Sequence, residues 1–385
     1  CYLGEQIEAL ATGIYLGQYR IGLYKTDTLA AAGFYVNPMV EFITEKEGDV
    51  VEKQMKRGFE TAETQLEMLR LVDAPANHKT PDKLANWALA SAEKYKYKAT
   101  VLDVAACETL GLHALLAVGK GSVAHPPLFI VLEYGEKQAN KPTIGLVGKG
   151  VTFDTGGVSL KPGDNMNYMK SDMGGAAAVL GTVELMAKRH VPIHLVAAIP
   201  VTENCVDGLA LKPGDVISSF SGKTIEVINT DAEGRLILAD GLTYLNRTFQ
   251  PDILIDLATL TGNCIMALGY AAAAMLTSND AMAASLTEFG MQTGEKVWRL
   301  PLWDEYAPMM DSDVADIKNL SSAPIAGAIT AAKFLEVFTE KHPAWVHLDI
   351  AGVAFGDSPY GKMKSATAYG IRLLSAYIEN QAGVL

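Results

Sequence analysis

The chain has 385 residues, of which 49% are hydrophobic and 20% are charged. This composition is typical of a globular protein with a full hydrophobic core and excludes an intrinsically disordered chain. The net charge of −12 disfavours non-specific attraction to nucleic acid or to an anionic membrane. We therefore expect neither a nucleic-acid partner nor a membrane partner.

The four cysteines, Cys1, Cys107, Cys205 and Cys264, are widely spaced and form no CxxC pair. This spacing disfavours a thiolate zinc site and favours a reduced, cytoplasmic location over a disulfide framework. The sequence has no signal peptide and no apolar run of about 18 residues that would predict a membrane span. Because the first residue is Cys and not Met, we expect the native N-terminus to lie upstream.

The first part of the chain predicts helices and one strand. Apolar residues recur at helical spacing within 4–24, residues 40–44 alternate like a strand, and a long helix is predicted through Arg70. A second helix is predicted after a break, with Thr80 as its N-cap and Pro81 at its first position.

The rest of the chain alternates apolar strands and helices. The predicted strands are 128–132, 144–147, 194–200, 253–257 and 346–350, and the predicted helices are 176–189, 234–245, 329–341 and 366–379. This pattern predicts an α/β fold with a mixed, largely parallel sheet sandwiched by helices. Ligands bind at the carboxyl ends of strands in such sheets, and Lys149 and Asp154 closely follow the strand 144–147.

Two segments combine acids, cations and glycines. In Asn-Thr-Asp-Ala-Glu-Gly-Arg, residues 229–235, the two acids and the arginine alternate. The segments 149–161 and 169–175 contribute a second cluster of charged side chains: Lys149, Asp154, Lys161 and Asp172. Carboxylates that are brought close together repel one another unless protons or cations lie between them. We therefore expect a pair of divalent metal ions here.

Simpler interpretations apply to each residue alone, since an isolated Asp after a strand is usually a turn former or a helix cap. The Gly-Lys-Gly at 148–150 does not fit a phosphate-binding loop, which needs Ser or Thr directly after the lysine. No HExxH motif is present. A metal site would depend mainly on oxygen ligands, which suits Zn²⁺ or Mn²⁺ and leaves Mg²⁺ or Co²⁺ possible.

Two neighbouring metal ions bridged by carboxylates and a water serve hydrolysis in two ways. They lower the pKa of the water, and they polarise the carbonyl group of the substrate. A nearby lysine or arginine can then stabilise the negative charge of the tetrahedral intermediate. A dinuclear hydrolase acting on phosphate esters would use the same carboxylate cluster.

The two clusters resemble the signatures of the cytosol, or leucyl, aminopeptidases, which are dinuclear metallo-exopeptidases. The resemblance runs from about residue 60 to the C-terminus. It rests on several ordered segments: VGKGVTFDTGG at 147–157 with Lys161 beyond it, MKSDMGGAAAV at 169–179, NTDAEGR at 229–235, DLATLTG at 256–262, WRLPL at 298–302, GAITAAKF at 327–334 and HLDIAG at 347–352.

The resemblance implies that Lys149, Asp154, Asp172 and Glu233 ligate the metal nearer the substrate amine, and that Asp154, Asp231 and Glu233 ligate the second. A lysine amine binds metal only when it is neutral, so the cation itself would have to lower the pKa of Lys149.

The same resemblance implies the catalytic roles. A metal-bridging hydroxide would attack the scissile carbonyl, Lys161 would stabilise the resulting gem-diolate, and Arg235 would hold a bicarbonate as general base. The free amino terminus of the peptide would lie near Asp172, which explains exopeptidase action of the EC 3.4.11 type.

The resemblance also implies a pocket for the side chain of the first substrate residue, lined by Met169, Thr259, Leu260, Gly262, Ala351 and Ala354. Relatives often carry a larger apolar residue, such as Met, at the position of Ala354. We therefore expect leucine-like and also aromatic first residues to be accepted.

The resemblance further implies the domains and the assembly. We expect residues 1–45 to be the end of a smaller α/β N-terminal domain, 46–75 a connecting helix and 76–385 the catalytic domain, assembled as a homohexamer. Two alternatives remain open, because some relatives act as cysteinylglycine dipeptidases and some also bind DNA.

Overall fold

The computed structural model describes residues 3–26, 48–357 and 362–384. The strand predicted at 40–44 lies outside the described residues. The helices are α1 Leu3–Leu16, α2 Gly48–Asp73, α3 Pro81–Tyr95, α4 Val104–Leu110, α5 His113–Gly119, α6 Gly174–Lys188, α7 Glu233–Phe249, α8 Gly262–Leu268, α9 Asp280–Thr293, α10 Gly327–Phe338 and α11 Ile371–Gln381. Within these ranges, no helix is both long enough and apolar enough to span a bilayer.

The strands belong to one large sheet and two small ones. They are β1 Lys98–Leu102, β2 Leu128–Tyr134, β3 Thr143–Gly148, β4 Gly150–Asp154, β5 His194–Asn204, β6 Val216–Ser218, β7 Thr224–Glu226, β8 Ile253–Ala258, β9 Ala273–Leu276, β10 Val297–Arg299, β11 Ile317–Lys318, β12 Trp345–Asp349, β13 Phe355–Gly356 and β14 Ser365–Ala366. Among the described residues the large sheet has nine strands: eight in the order β1-β2-β5-β3-β8-β12-β9-β10, and β4, which pairs with β5.

The large sheet confirms the predicted mixed, largely parallel arrangement. Strands β3, β5, β8 and β12 run parallel, as do the pairs β4/β5 and β9/β10. The pairs β1/β2, β2/β5 and β9/β12 are antiparallel. All residues of β3, β5, β8 and β12 are buried, because helices cover both faces of the sheet.

Each face of the sheet has its own hydrophobic core. One core joins α2, α3, α6, α9 and α11 to the sheet through residues such as Leu69, Leu180 and Leu374. The other joins α5, α7 and α10 to the opposite face through Leu115, Leu242 and Phe334. The sheet is therefore sandwiched by helices, as the alternating pattern predicted.

Several predicted helix boundaries were wrong by a few residues. The helix predicted at 366–379 begins at Ile371, because Ser365–Ala366 pairs as a strand and Gly370 has a φ of 101°. The helix predicted to reach residue 341 ends at Phe338, and the two residues Glu340 and Lys341 have φ of 54° and 63°. Such positive φ values are incompatible with a continuing right-handed helix.

The predicted start of α3 is confirmed in position but not in its capping bond. Pro81 is the first helical residue, and the backbone carbonyl of Thr80 accepts a hydrogen bond from Leu84 N at 3.3 Å. The Thr80 hydroxyl makes no capping hydrogen bond. Proline has no backbone N–H, so the first turn of the helix has one donor fewer to satisfy. The helix therefore begins at Pro81 without a side-chain cap.

A candidate metal centre at the carboxyl edge of the sheet

The predicted site residues follow the carboxyl ends of neighbouring strands. Lys149 lies between β3 and β4, and Asp154 is the last residue of β4. Asp172 lies between a short 3₁₀ helix, Met166–Ser171, and α6. Glu233 begins α7, two residues after Asp231. The strand order places these separate segments at one edge of the sheet, as expected for a ligand site in an α/β fold.

The structure brings the four predicted carboxylates together. Ligand oxygens of Asp154, Asp231 and Glu233 lie within 4.8 Å of one another. Asp172 joins them through Lys149, whose Nζ lies 2.8 Å from Asp172 Oδ2 and 2.9 Å from Glu233 Oε1. The four acids thus form one cluster around the lysine.

Lys161 lies on the other side of this cluster. Its Nζ is 2.8 Å from Asp154 Oδ2 and also forms an ion pair with Asp231. Two ammonium groups therefore face four carboxylates, which leaves the cluster with an excess of negative charge. A buried excess of negative charge favours the binding of cations.

Burial and the neighbouring carboxylates raise the proton affinity of the acids. Burial, together with the nearby Asp154 carboxylate, raises the pKa of Glu233 to about 8. Burial raises the pKa of Asp172 to about 6, although Lys149 opposes this shift. The pKa of Asp231 is raised by burial and by Asp154. Burial and the neighbouring acids thus together disfavour the ionised carboxylates, and a bound cation would favour them.

The pKa values of the two lysines are raised as well, but here neighbouring charges outweigh burial. Burial lowers the pKa of Lys149, but Asp172, Glu233 and Asp154 outweigh burial and hold this pKa above its usual value. The pKa of Lys161 is raised in the same way, chiefly by Asp154 against burial. Lys149 is therefore charged among these carboxylates, and its predicted role as a neutral metal ligand requires a cation to displace its proton.

The donor set fits divalent metal ions. Glu233 Oε2 is buried and has no hydrogen-bond partner among the described residues. A buried carboxylate oxygen without a partner is costly, and a bound cation would remove that cost. Carboxylate oxygens with one amine nitrogen suit Zn²⁺, Mn²⁺ or Mg²⁺.

A side chain without a role in the sequence-based predictions holds Asp154 in place. Asn204, the last residue of β5, donates from Nδ2 to Asp154 Oδ1 at 2.8 Å and to Thr230 O at 3.0 Å. Thr230 Oγ1 in turn donates to Gly156 O at 2.6 Å. Asn204 therefore links the loop after β4 to the loop that carries Asp231. In the sequence, only the position of Asn204 shortly after a predicted strand could have indicated this supporting role.

Arg235 is buried in the first turn of α7. Its Nη1 donates to Asn319 O at 2.7 Å, and burial lowers its pKa to about 10 against the opposing effect of Glu233. Asn319 also binds the loop before α7, since Oδ1 accepts from Ile228 N at 2.8 Å and Nδ2 donates to Asn229 O at 2.7 Å. No motif surrounds Asn319 in the sequence, so sequence reasoning missed it.

Thr259, one of the residues predicted to line the side-chain pocket, contacts this centre. Thr259 Oγ1 donates to Asp172 Oδ1 at 2.7 Å, and Thr259 O accepts from Lys149 Nζ at 3.0 Å. A Cβ built on Gly174 would lie 3.4 Å from Thr259 Cγ2 and 3.0 Å from Ala354 Cβ. Thr259 and Ala354 therefore meet at Gly174.

The other predicted pocket residues lie after β8, after β12 and in the 3₁₀ helix Met166–Ser171. Leu260 and Gly262 follow Thr259 at the start of α8, and Ala351 follows β12. Met169 is half-buried in the 3₁₀ helix that precedes Asp172. The residues predicted to line the pocket thus belong to the segments after β8 and β12 and to this 3₁₀ helix.

The fold and the site together define an α/β protein with a buried carboxylate–lysine centre suited to divalent metal ions. Comparison with known proteins gives the family. The chain belongs to the cytosol aminopeptidase family, since the family model described as "Cytosol aminopeptidase family, catalytic domain" matches residues 68–375.

Curated relatives agree with this family. The chain is 50% identical over 323 residues to a "Probable cytosol aminopeptidase" of Chlorobium luteolum, a match that covers 84% of this chain and 63% of the relative. It is 45% identical over 372 residues to a protein of the same name from Chlorobium limicola, covering 95% and 73%. The chain thus spans roughly two thirds of the length of these relatives.

Proposed function

We propose that the protein is a metal-dependent aminopeptidase that removes the first residue from peptides with a free amino terminus. The observation that carries this proposal is the cluster of Asp154, Asp231 and Glu233, whose ligand atoms lie within 4.8 Å of one another. Membership of the cytosol aminopeptidase family supports the same activity.

The cluster offers ligands for two metal ions. Lys149, Asp154, Asp172 and Glu233 would hold the first, and Asp154, Asp231 and Glu233 would hold the second. When bound, two divalent cations would polarise the scissile carbonyl and lower the pKa of a water. Zn²⁺ and Mn²⁺ are the preferred candidates for these cations. Glu233 Oε2, which has no hydrogen-bond partner in the part of the chain that the structure describes, supports this assignment.

Lys161 and Arg235 have positions that suit their proposed roles. The ammonium of Lys161 lies beside Asp154 and Asp231, with 22% of its side chain exposed, and can donate to a negatively charged oxygen at the cluster. Arg235 Nε is buried and has no hydrogen-bond partner in the described part of the chain. This donor is free to bind a bicarbonate, which would serve as the general base.

The restriction to free amino termini follows from the arrangement of Asp172 and the pocket. Asp172 is buried and touches Thr259, so the substrate amine and the first side chain would be bound by adjoining groups. A blocked amine would lose its charge and gain bulk at this point. We therefore expect N-acetylated peptides to be poor substrates.

The test is hydrolysis of aminoacyl-arylamides and of free and N-acetylated dipeptides. The protein is first treated with a chelator and then supplied with Zn²⁺, Mn²⁺, Mg²⁺ or Co²⁺. We expect metal to restore cleavage of free amino termini only. Equal cleavage of acetylated peptides, or no turnover by folded protein with any metal, would contradict the proposal. Cysteinylglycine belongs in the panel, because the same chemistry would hydrolyse it.

We also propose that the protein forms a homohexamer in the cytoplasm. The resemblance of the catalytic segments to the family supports this assembly. Light scattering of the purified protein distinguishes a hexamer from a monomer or trimer by mass, and a monomer at micromolar concentration would contradict the proposed assembly.

A further inference from the structure

Asp349 is a buried acid with no role in the chemistry proposed above. It is the last residue of β12 and is 0% exposed. In the sheet it lies opposite Ala258 at the end of β8 and opposite Ala274 of β9. Its carboxylate therefore lies where β8 and β12 both pass into loops.

The Asp349 carboxylate bonds both of these loops. Oδ1 accepts from Leu260 N at 3.1 Å in the loop after β8 and from Ala351 N at 3.2 Å in the loop after β12. Oδ2 accepts from the Thr261 hydroxyl at 2.6 Å. One side chain thus connects two segments that are far apart in the sequence.

The start of α8 depends on the same group. Thr261 is the N-cap of α8, and its Oγ1 accepts from Cys264 N at 3.1 Å while its hydroxyl donates to Asp349. Cys264 Sγ also donates to Asp349 O at 3.3 Å. The direction of the chain from Thr259 into α8 is therefore fixed relative to β12.

These segments carry most of the proposed pocket: Thr259, Leu260, Gly262, Ala351 and Ala354. We infer that Asp349 is a positioning residue that sets the preference for the first substrate residue, by holding the two pocket segments in register. This inference rests on the proposed aminopeptidase function. Asp349 itself does not line the pocket, so it would act through the positions of Thr259 and Ala354.

The chemistry of Asp349 explains why a carboxylate is present. Every hydrogen bond described to its side chain comes from an N–H or O–H donor. An ionised carboxylate only accepts hydrogen bonds, whereas an amide would turn its NH₂ toward one of these donors. In Asp349→Asn the amide either turns its NH₂ toward Leu260 N and Ala351 N and loses those bonds, or turns it toward Thr261, whose hydroxyl must then accept instead of donating to a charged oxygen. Both arrangements weaken the link between the two loops.

A small displacement of either loop would be visible in substrate preference. Ala354 Cβ and Thr259 Cγ2 lie 3.0 and 3.4 Å from the point where a Cβ on Gly174 would lie, so the two loops pack closely against the start of α6. One methylene in a well-shaped apolar pocket changes relative kcat/KM by about 10- to 200-fold. Loss of the Asp349 bonds should remove much of that selectivity.

The experiment compares kcat/KM for alanyl, leucyl and phenylalanyl arylamides between the wild-type metalloprotein and Asp349→Asn. We define the spread as the ratio of the highest to the lowest kcat/KM among the three substrates, and we expect it to fall by about tenfold or more in Asp349→Asn. We also expect bound metal to remain at the wild-type level. A uniform loss on all three substrates, or an unchanged spread in folded protein, would overturn the inference.

Two further variants keep the test decisive if Asp349→Asn folds poorly. Thr261→Val removes the hydrogen bond to Asp349 Oδ2 together with the cap that accepts from Cys264 N, and it should narrow the spread of kcat/KM. Thr261→Ser keeps the hydroxyl and should keep the wild-type spread. An unchanged spread in Thr261→Val would also count against the inference.

Asp240→Asn is the matched control. Asp240 is an equally buried acid that accepts from Leu115 N at 3.0 Å and Phe220 N at 2.8 Å, outside the pocket segments. Its replacement should lower stability without changing the spread. If the wild-type protein were inactive, the proposed function would be refuted. Hydrogen exchange would then still test the inference about Asp349, because the backbone amides of 259–264 and 350–354 should exchange faster in Asp349→Asn than in the wild type.

Discussion

The side chain of Lys149 passes directly over the backbone of Gly234. A Cβ built on Gly234 would lie 2.6 Å from Lys149 Cε and 2.7 Å from its Nζ. The glycine thus leaves the space in which the lysine reaches Glu233 and Asp172. This contact joins the two charged segments that the sequence singled out.

Gly234→Ala should therefore weaken the metal centre. The added methyl group has to displace Lys149 from its carboxylates, and loss of such support typically weakens metal binding by about 10- to 100-fold. Metal content after dialysis and turnover at limiting metal measure the effect. Gly208→Ala is the control, since nothing lies within 4 Å of the Cβ position there. Equal metal binding by both variants would contradict this account.

Asn204→Ala should also weaken metal binding, with a smaller change in the structure than Gly234→Ala. The variant removes the donor at 2.8 Å from Asp154 Oδ1 and frees the loop at Thr230. Asp154 is a proposed ligand of both metals, so we expect metal affinity to fall about 10- to 100-fold. Isothermal titration with Mn²⁺ measures this loss. Asn204→Asp cannot donate to the carboxylate and should not restore affinity; wild-type affinity in either variant would argue against the support role.

Ala354→Met tests the proposed pocket. Ala354 Cβ lies 3.0 Å from the point where a Cβ on Gly174 would lie, so a longer side chain has little room on that side. In the proposed pocket it would extend into the space for the substrate. We expect turnover of aromatic first residues to fall relative to alanine by about 10-fold or more. Steady-state kinetics on phenylalanyl and alanyl arylamides measure the ratio. An unchanged ratio would remove Ala354 from the pocket.

Lys79 gives the protein a pH-dependent stability. The side chain is 0% exposed, and its Nζ donates to Val72 O at 2.9 Å and also to Lys170 O. Burial and the nearby Lys170 charge lower its pKa to about 7. A neutral amine still has two N–H donors, which match these two carbonyl acceptors.

The sign of the effect follows from proton binding. The pKa of lysine in an unfolded chain is about 10.4. Between about pH 7 and pH 10 the unfolded chain binds the additional proton, so the free energy of unfolding rises with pH, by at most about 1.4 kcal/mol per pH unit.

Lys79→Met lacks this contribution. Its unfolding free energy should therefore rise less steeply than that of the wild type between pH 7 and pH 9, measured by urea denaturation of chelated protein. Parallel pH profiles for the two proteins would contradict the assignment.

The sequence by itself determined the class of the fold and the identity of the charged cluster. Continuous apolar runs such as 144–147 and 253–257 indicate buried strands, because their signal is local. Pro81 likewise marked the start of α3. The residues of 149–161 and 229–235 were recognisable because acids, lysines and glycines recur there at short spacing. An ordinary exposed helix face has no need of this combination.

The tertiary structure decided which groups support that cluster. Asn204 and Asp154 are 50 residues apart in the sequence, Asn319 and Arg235 are 84 apart, and Asp349 and Leu260 are 89 apart. Which strand ends become neighbours depends on strand order, and strand order is set by packing across the whole sheet. The short spacing of a motif carries no such information, so these partners became visible only in the folded chain.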